Sequence, residues 1–245
     1  PADRPASPDV PPPANILALD ASGDRSTVGV RTAAGATFEA ETDAGRKHGR
    51  DLIPCVRDLL RAAGLRPLDL DLVAVGLGPG SYTGMRIGLT AARTLAYAAG
   101  ARLSGFDSLE AVARNAPAEA TQVVVVGDAQ RGDVYAAEFA REAPGGPLVA
   151  LGPSRIEPLQ AWGAGVGPGV LALGPGLRSA AIRANLAGLP DVDPDDPIHR
   201  PAGRRLIELA LRALDVPAVP PDDLRPNYLR RSAAEDQWDA RASRP

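Results

Sequence analysis

Short apolar runs alternate with polar, glycine-containing turns in the first part of the chain. Runs at this hairpin spacing predict an antiparallel meander of three strands. The period then changes, because the apolar residues of 48–63 recur at the spacing of one helix face. A fourth apolar run leads into the glycine-rich segment GPGSYTG and then into a long helix. The predicted strands cover residues 15–20, 27–31, 36–42 and 72–77, and the second predicted helix covers residues 85–99.

The same order of elements returns in the second half of the chain. An apolar strand ends at Asp128 as the first strand ends at Asp20, and a polar turn, a second strand and a glycine turn follow. This echo predicts two lobes of related α/β architecture. The remaining predicted elements are strands over 103–106, 123–126, 133–139, 147–151 and 169–173 and helices over 109–115, 158–162, 177–186 and 204–214.

The segment GPGSYTGMRIG, residues 78–88, is the first candidate for a functional site. A glycine-rich turn before a helix often holds phosphate, because unpaired backbone N–H groups point out of the helix N-terminus. The Walker pattern requires Gly-Lys after four intervening residues, whereas Gly84 is followed by methionine. The Rossmann pattern also fails, because Gly76, Gly78 and Gly80 are separated by single residues. The spacing therefore disfavours a phosphate site.

The glycines of this segment favour a different interpretation, a packing surface. Gly80, Gly84 and Gly88 are spaced four apart, and two alanines continue the row of small residues. Residues at this spacing share one face of a helix. Glycine inside a helix costs about 0.5–1 kcal/mol relative to alanine, so a compensating contact is expected. The stripe predicts the close approach of a second helix, either residues 51–63 or a helix of another subunit.

Five segments resemble the TsaB (YeaZ) family in order and spacing. They are VAVGLGPGSYTGMRIGLTAARTLA, the opening ILALDAS, HGRDLIPCVRDLL, GDAQRGDVYAAEF and the late NYLR. The resemblance implies an α/β protein with the duplicated actin-like, hexokinase-like ATPase (ASKHA) fold, in which each of two lobes has a mixed sheet flanked by helices. The implied division is a disordered proline-rich arm (1–14), a partner-binding lobe I (15–106), lobe II (107–201), a C-terminal helix and strap returning to lobe I (202–231), and a disordered tail (232–245).

The resemblance also implies a function. Family members are non-catalytic subunits that pair with a TsaD-like catalytic subunit for threonylcarbamoylation of the tRNA adenosine following the anticodon. A TsaE-like ATPase binds the pair, members alone form homodimers, and tRNA is contacted only within the complex. The implied chain is not an enzyme and has no cofactor of its own, because threonylcarbamoyl-adenylate, ATP and a metal belong to other subunits.

The resemblance places the partner face on the helix pair over 48–63 and 82–99. Gly84 and Gly88 would permit a close approach, and side chains around them would supply the contacts. The expected interface residues are His48, Leu52, Cys55, Val56, Gly80, Tyr82, Thr83, Gly84, Met85, Arg86, Gly88, Leu89 and Ala92.

Two other functions stay open. Asp20, Asp128 and the turn 174–176 suggest a nucleotide-dependent enzyme of the same fold, such as a small-molecule kinase, although Asp20 lacks a following Asp-x-Gly turn. A metallopeptidase would need two histidines one helical turn apart, whereas position 52 after His48 is leucine and His199 is remote. We therefore assign no catalytic, cofactor-binding or metal-ligating residue from the sequence.

Composition and charge limit the kinds of disulfide, membrane and nucleic-acid interaction that the chain can make. The chain of 245 residues has a formal net charge of -3 and one cysteine, which excludes an intrachain disulfide. A cytoplasmic protein without a membrane helix is expected, and the acidic balance disfavours independent binding of nucleic acid. Local basic clusters favour either solvated helix faces or tRNA phosphate contacts within a complex. These clusters contain Arg204, Arg205, Arg225, Arg230 and Arg231.

Overall fold

The computed structural model describes residues 14–45, 48–186, 193–215 and 220–230, which form two lobes around two sheets. The strands of the first sheet are β1 (Ile16–Asp20), β2 (Thr27–Arg31), β3 (Thr37–Glu41), β4 (Leu72–Gly76) and β5 (Arg102–Phe106). They lie in the order β3-β2-β1-β4-β5. The first three form the predicted antiparallel meander, whereas β4 runs parallel to both β1 and β5.

The second sheet repeats this arrangement. Its strands are β6 (Gln122–Gln130), β7 (Asp133–Ala140), β8 (Val149–Ala150), β9 (Arg155–Pro158) and β10 (Leu171–Leu173). The central β6 pairs antiparallel with β7 and parallel with β10, as β1 pairs with β2 and β4. The shared strand relations confirm the predicted duplicated α/β fold. β9 was not predicted from the sequence and pairs with β7.

Helices cover both faces of the first sheet, and this explains why the first four residues of β1 are all apolar. The α-helices in the described residues of both lobes are α1 (His48–Ala62), α2 (Tyr82–Ala99), α3 (Ser108–Ala113), α4 (Leu159–Gly165), α5 (Ala180–Ala184) and α6 (Gly203–Arg212). Leu17 and Leu19 join the core under α1 and α2, whereas Ile16 and Ala18 join the core under α6. Successive strand residues point to opposite faces, so both sets must be apolar.

Several predicted element boundaries differ from the structure. α2 begins at Tyr82, because the Ser81 hydroxyl caps it by accepting a hydrogen bond from the Gly84 amide at 3.2 Å. β6 continues through a bulge between Asp128 and Gln130, so Asp128 lies inside the strand. The predicted helix over 177–186 is divided into a short 3-10 turn, Pro175–Arg178, and α5.

Several predictions concern residues outside the described ranges. The proline-rich arm, apart from Ala14, and the tail with Arg231 are among them, and the division of the chain into parts stays a prediction. α6 follows the second sheet along the chain but packs against β1, β2 and β3. No helix in the described ranges combines the length and apolarity needed to cross a bilayer.

Candidate partner-binding site

The glycine stripe of α2 packs against the β1–β2 turn of its own lobe. A Cβ atom at Gly84 would lie 1.9 Å from the Ala21 carbonyl oxygen, and one at Gly80 would lie 2.3 Å from the Ser22 carbonyl oxygen. At Gly88 the nearest atom is the Ala21 Cβ at 3.4 Å, which is ordinary contact. The prediction that a second helix approaches this stripe is therefore wrong. The glycines instead let α2 lie directly on the turn that follows Asp20.

Six of the expected contact residues point into the first lobe. The resemblance placed them on the partner face, but they lie on the inner sides of α1 and α2, which face the sheet rather than solvent. Each exposes less than a tenth of its surface, so the expectation of direct partner contact is corrected for all of them: they support the face from beneath. The six are His48, Leu52, Val56, Met85, Leu89 and Ala92.

His48 secures the start of α1. Its Nδ1 lies 2.7 Å from the Ser26 hydroxyl oxygen, and its buried Nε2 has no hydrogen-bond partner among the described residues. Leu52, one turn further along α1, is fully buried. Within the described part of the chain, no group of three or more His, Cys, Asp or Glu side chains could hold a metal ion.

Five of the other expected residues lie at or near the surface of the helix pair, whereas Gly84 and Gly88 are buried against the first lobe. Tyr82, Thr83 and Arg86 are exposed on the first turns of α2, whereas Gly80 and Cys55 are half-buried. Burial, with the negative charge of Asp58, raises the pKa of the Cys55 thiol, which stays protonated at neutral pH. Cys55 is therefore a packing residue and not an activated nucleophile.

The structure adds residues, not expected from the sequence, that join α1 and α2 into one surface. Ile53 is 51% exposed on α1, unusual for a residue of its size and hydrophobicity. Gly49, one turn before it, brings the α1 backbone close to α2, since a Cβ there would lie 3.7 Å from Ile87 Cδ1. We call this surface the helix-pair face. It comprises Gly49, Ile53, Tyr82, Thr83, Arg86 and Ile87.

An aromatic cluster extends from the helix-pair face to Tyr228. The ring of Tyr82 stacks on Tyr228 with centroids 4.9 Å apart and an interplanar angle of 27°. The Arg86 guanidinium carbon lies 5.4 Å from the centroid of Tyr82, and Arg86 Nη1 donates to the Tyr82 hydroxyl at 3.1 Å. Such a cation–π contact and the stacking both restrict the side chains before any partner arrives.

A cleft of about 750 Å³ separates the lobes and contains both aspartates of the predicted hairpins. Asp20 Oδ1 accepts hydrogen bonds from the Ser22 amide and hydroxyl, each at 2.7 Å, while the buried Asp20 Oδ2 has no partner in the described part of the chain. Asp128 Oδ1 accepts from the Gln130 amide at 2.7 Å. Both carboxylates therefore cap turns, as Asx residues commonly do.

The turn 174–176, the third candidate for a nucleotide contact, is closely packed, since a Cβ at Gly174 would lie 2.3 Å from the Val126 carbonyl oxygen.

The described basic residues near the C-terminus are engaged within the chain. Arg204 and Arg205 pair with Glu39 and Glu208. Arg225 donates to backbone carbonyls of its own segment, and Arg230 pairs with Asp133 at 2.5 Å. These contacts offset the positive charge locally, which weakens the case for a phosphate-binding patch.

Comparison with known proteins gives named relatives over part of the chain. The chain is 38% identical over 122 residues to the tRNA threonylcarbamoyladenosine biosynthesis protein TsaB of Bacillus subtilis (strain 168), covering 49% of the chain and 52% of that protein. It is 35% identical over 134 residues to TsaB of Escherichia coli (strain K12), covering 53% of the chain and 57% of that protein. The chain thus matches about half the length of these curated relatives.

Other matches extend over nearly the whole length. An uncharacterized protein of Mycobacterium tuberculosis (strain ATCC 25618 / H37Rv) is 33% identical over 224 residues, covering 90% of the chain and 93% of that protein. The solved structure of YeaZ from Pseudomonas aeruginosa superposes with a TM-score of 0.72 at 26% identity, covering 88% of the chain and 100% of that structure. The chain belongs to the TsaB (YeaZ) family.

The helix-pair face of this TsaB-family chain lies in a segment that is also related to a transferase. The family model of TsaD, tRNA N6-adenosine threonylcarbamoyltransferase, matches residues 41–146. That range runs from the end of β3 past the end of β7 and includes both α1 and α2. The segment that carries the face therefore resembles the TsaD family.

Proposed function

We propose that the chain is a non-catalytic subunit that pairs with a TsaD-like catalytic subunit for threonylcarbamoylation of the tRNA adenosine following the anticodon. The observation that carries the proposal is the exposed helix-pair face with Ile53, Tyr82 and Arg86, in a segment related to TsaD. Tyrosine and arginine are the residue types that most often dominate interface energetics. Related helix pairs on two chains can pack face to face in a pseudo-twofold arrangement.

The chemistry of the described residues supports a role without catalysis. His48 is an interior hydrogen-bonding residue, and the Cys55 thiol is protonated. In this proposal the chain holds no cofactor, and threonylcarbamoyl-adenylate, ATP and a metal bind to other subunits. A TsaE-like ATPase joins the pair, the isolated chain forms homodimers through the same face, and tRNA binds only to the assembled complex in the cytoplasm.

The substitution Ile53→Arg tests the proposed face. A guanidinium there would have to be desolvated under the partner, so we expect the dissociation constant of the pair to rise by at least about 30-fold. Titration calorimetry with the TsaD-like subunit of the same genome measures this change. Leu151→Arg is the matched control, because Leu151 is 64% exposed in the second lobe, and it should pair normally. Unchanged affinity of a folded Ile53→Arg variant would contradict the proposed face.

A second candidate function rests on the interlobe cleft. The buried and unpartnered Asp20 Oδ2 favours a ligand or a water there, because a buried carboxylate oxygen ordinarily has a donor. An independent nucleotide-dependent enzyme would use this cleft. Calorimetry of the isolated chain with ATP and Mg²⁺ separates the candidates. Micromolar binding that Asp20→Ala weakens would favour the enzyme, and the absence of heat would support the subunit.

A further inference from the structure

Most of the C-terminal segment 220–230, called the strap, is secured to the first lobe. Arg93 of α2 donates to the carbonyl oxygens of Pro221 at 3.0 Å and Leu224 at 2.6 Å. Leu224 is buried in the core under α1 and α2. The Asn227 amide donates to the Leu77 carbonyl oxygen at 2.7 Å, just after β4. These contacts fix the path of the strap from Pro221 to Asn227, the residue just before Tyr228.

Tyr228 leaves this path toward the helix-pair face. Its side chain is 43% exposed although its ring stacks on Tyr82, which is itself 45% exposed. Each ring thus buries one side against the other and leaves area for a partner. Because stacking already restricts both rings, a partner would immobilise little additional freedom, and such preorganisation favours affinity.

Arg230 anchors the strap on the other side of Tyr228, in the second lobe. Its Nη2 donates to Asp133 Oδ2 at 2.5 Å and to the Gln130 carbonyl oxygen at 3.3 Å. These acceptors flank the two-residue turn between β6 and β7, whose residues have positive φ. Tyr228 therefore lies between an anchor in each lobe, at Asn227 and at Arg230.

We propose that Tyr228 of the strap is part of the surface that contacts the TsaD-like subunit, and that Arg230 is a positioning residue for it. This inference rests on the proposed function. The strap is continuous with the helix-pair face through the Tyr82 stack, and its residues lie outside the range 41–146 that resembles TsaD. The strap would therefore supply a contact from outside the segment that resembles TsaD. A tyrosine–tyrosine–arginine cluster fits the edge of such an interface.

The substitution Tyr228→Ala tests the contact in the full-length chain. We expect the dissociation constant for the TsaD-like subunit to rise at least about tenfold, whereas Tyr228→Phe, which keeps the stack, should stay within about threefold. Tyr97→Ala is the matched control, because Tyr97 is 91% exposed near the end of α2 and should affect pairing by less than twofold. Thermal unfolding of each variant verifies that the fold is intact.

A double-mutant cycle tests the positioning role of Arg230. Arg230→Gln should weaken pairing about threefold or more in the wild-type background and have no further effect when Tyr228 is already alanine. A merely structural role would weaken both backgrounds equally and would overturn the positioning role. Wild-type affinity of folded Tyr228→Ala would overturn the contact, and so would a loss confined to homodimer formation. If Ile53→Arg also pairs normally, the proposed face itself fails, which distinguishes the two claims.

Discussion

At the scale of single residues, the two central glycines of α2 have different roles. The sequence identifies Gly84 and Gly88 as equivalent members of a small-residue stripe, but a pattern contains no information about what the stripe meets. The structure shows a backbone carbonyl 1.9 Å from the position of a Gly84 Cβ and only ordinary contact at Gly88. Gly84 therefore has no room for any side chain, whereas Gly88 has room for a methyl group.

The pair of variants Gly84→Ala and Gly88→Ala checks this difference. Gly84→Ala should destabilise the chain by about 1–3 kcal/mol, because α2 must move off the β1–β2 turn. Gly88→Ala should be neutral or stabilising by up to about 1 kcal/mol, since alanine favours the helix. Denaturant unfolding measures both free energies, and equal effects of the two substitutions would refute the assignment.

The exposed position of Ile53 could not have been predicted from periodicity alone. Leu52 and Ile53 are adjacent apolar residues, and an apolar stripe wide enough to face a sheet can accommodate either. Only the placement of α1 against α2, where Gly49 meets Ile87, decides that Leu52 is buried and Ile53 exposed. The same limit explains why the predicted interface contained core residues.

At the scale of elements, strands and helices with long apolar runs or a strong helical period were predicted well. The remaining elements depend on tertiary contacts that the local sequence does not show. β1, β2, β4 and α1 are within two residues of their predicted bounds, because burial on both faces demands an apolar sequence. β9 has one apolar side chain among four residues and forms by pairing with β7, so its sequence carried little signal. Because Ser81 caps α2, that helix begins at Tyr82 rather than at the predicted residue 85.

The substitution Arg93→Ala tests how the strap is held. It removes two hydrogen bonds to strap carbonyls, so amide hydrogen exchange over 220–230 should accelerate by at least about tenfold while exchange in β1 stays slow. Thr94→Ala, at an exposed neighbouring position, is the control and should leave exchange in the strap unchanged. Slow exchange throughout the strap of Arg93→Ala would show that other contacts are sufficient.

At the scale of the whole molecule, an ion pair bridges the lobes beside the cleft. Arg178 Nη1 lies 2.6 Å from Asp24 Oδ2, and both residues line the cleft. Burial alone would raise the pKa of Asp24, but the hydrogen bond and charge of Arg178 outweigh burial and hold that pKa below its usual value. A lowered pKa in the folded state means that the pair stabilises the fold when Asp24 is ionised.

The pH dependence of stability checks this bridge. Arg178→Gln should lower the free energy of unfolding at pH 7 by about 1 kcal/mol or less, since the pair is partly solvated. The difference from wild type should persist above the unfolded pKa, near 3.9, and shrink as the pH falls through the folded pKa of Asp24. Denaturant unfolding from pH 7 to pH 3 measures it. In an Asp24→Asn background, Arg178→Gln should cause no pH-dependent change in the free energy of unfolding. A change that persists there would show that Arg178 acts through a group other than Asp24.

The duplicated architecture was predictable because strand order and polar turns repeat along the chain. The individual contacts that join the lobes were not, because α6, the strap and the Arg178 pair link residues remote in sequence. These links place the strap beside the helix-pair face, and this placement motivates the account of the chain as a pairing subunit.

Size-exclusion chromatography with light scattering tests that account most directly. The full-length chain is measured alone and mixed with the TsaD-like subunit of the same genome. The account predicts a new species in the mixture with the mass of one copy of each chain, formed at the expense of any homodimer. Two separate peaks with unchanged masses at concentrations up to about 100 μM, well above the dissociation constant of a stable pair, would contradict it.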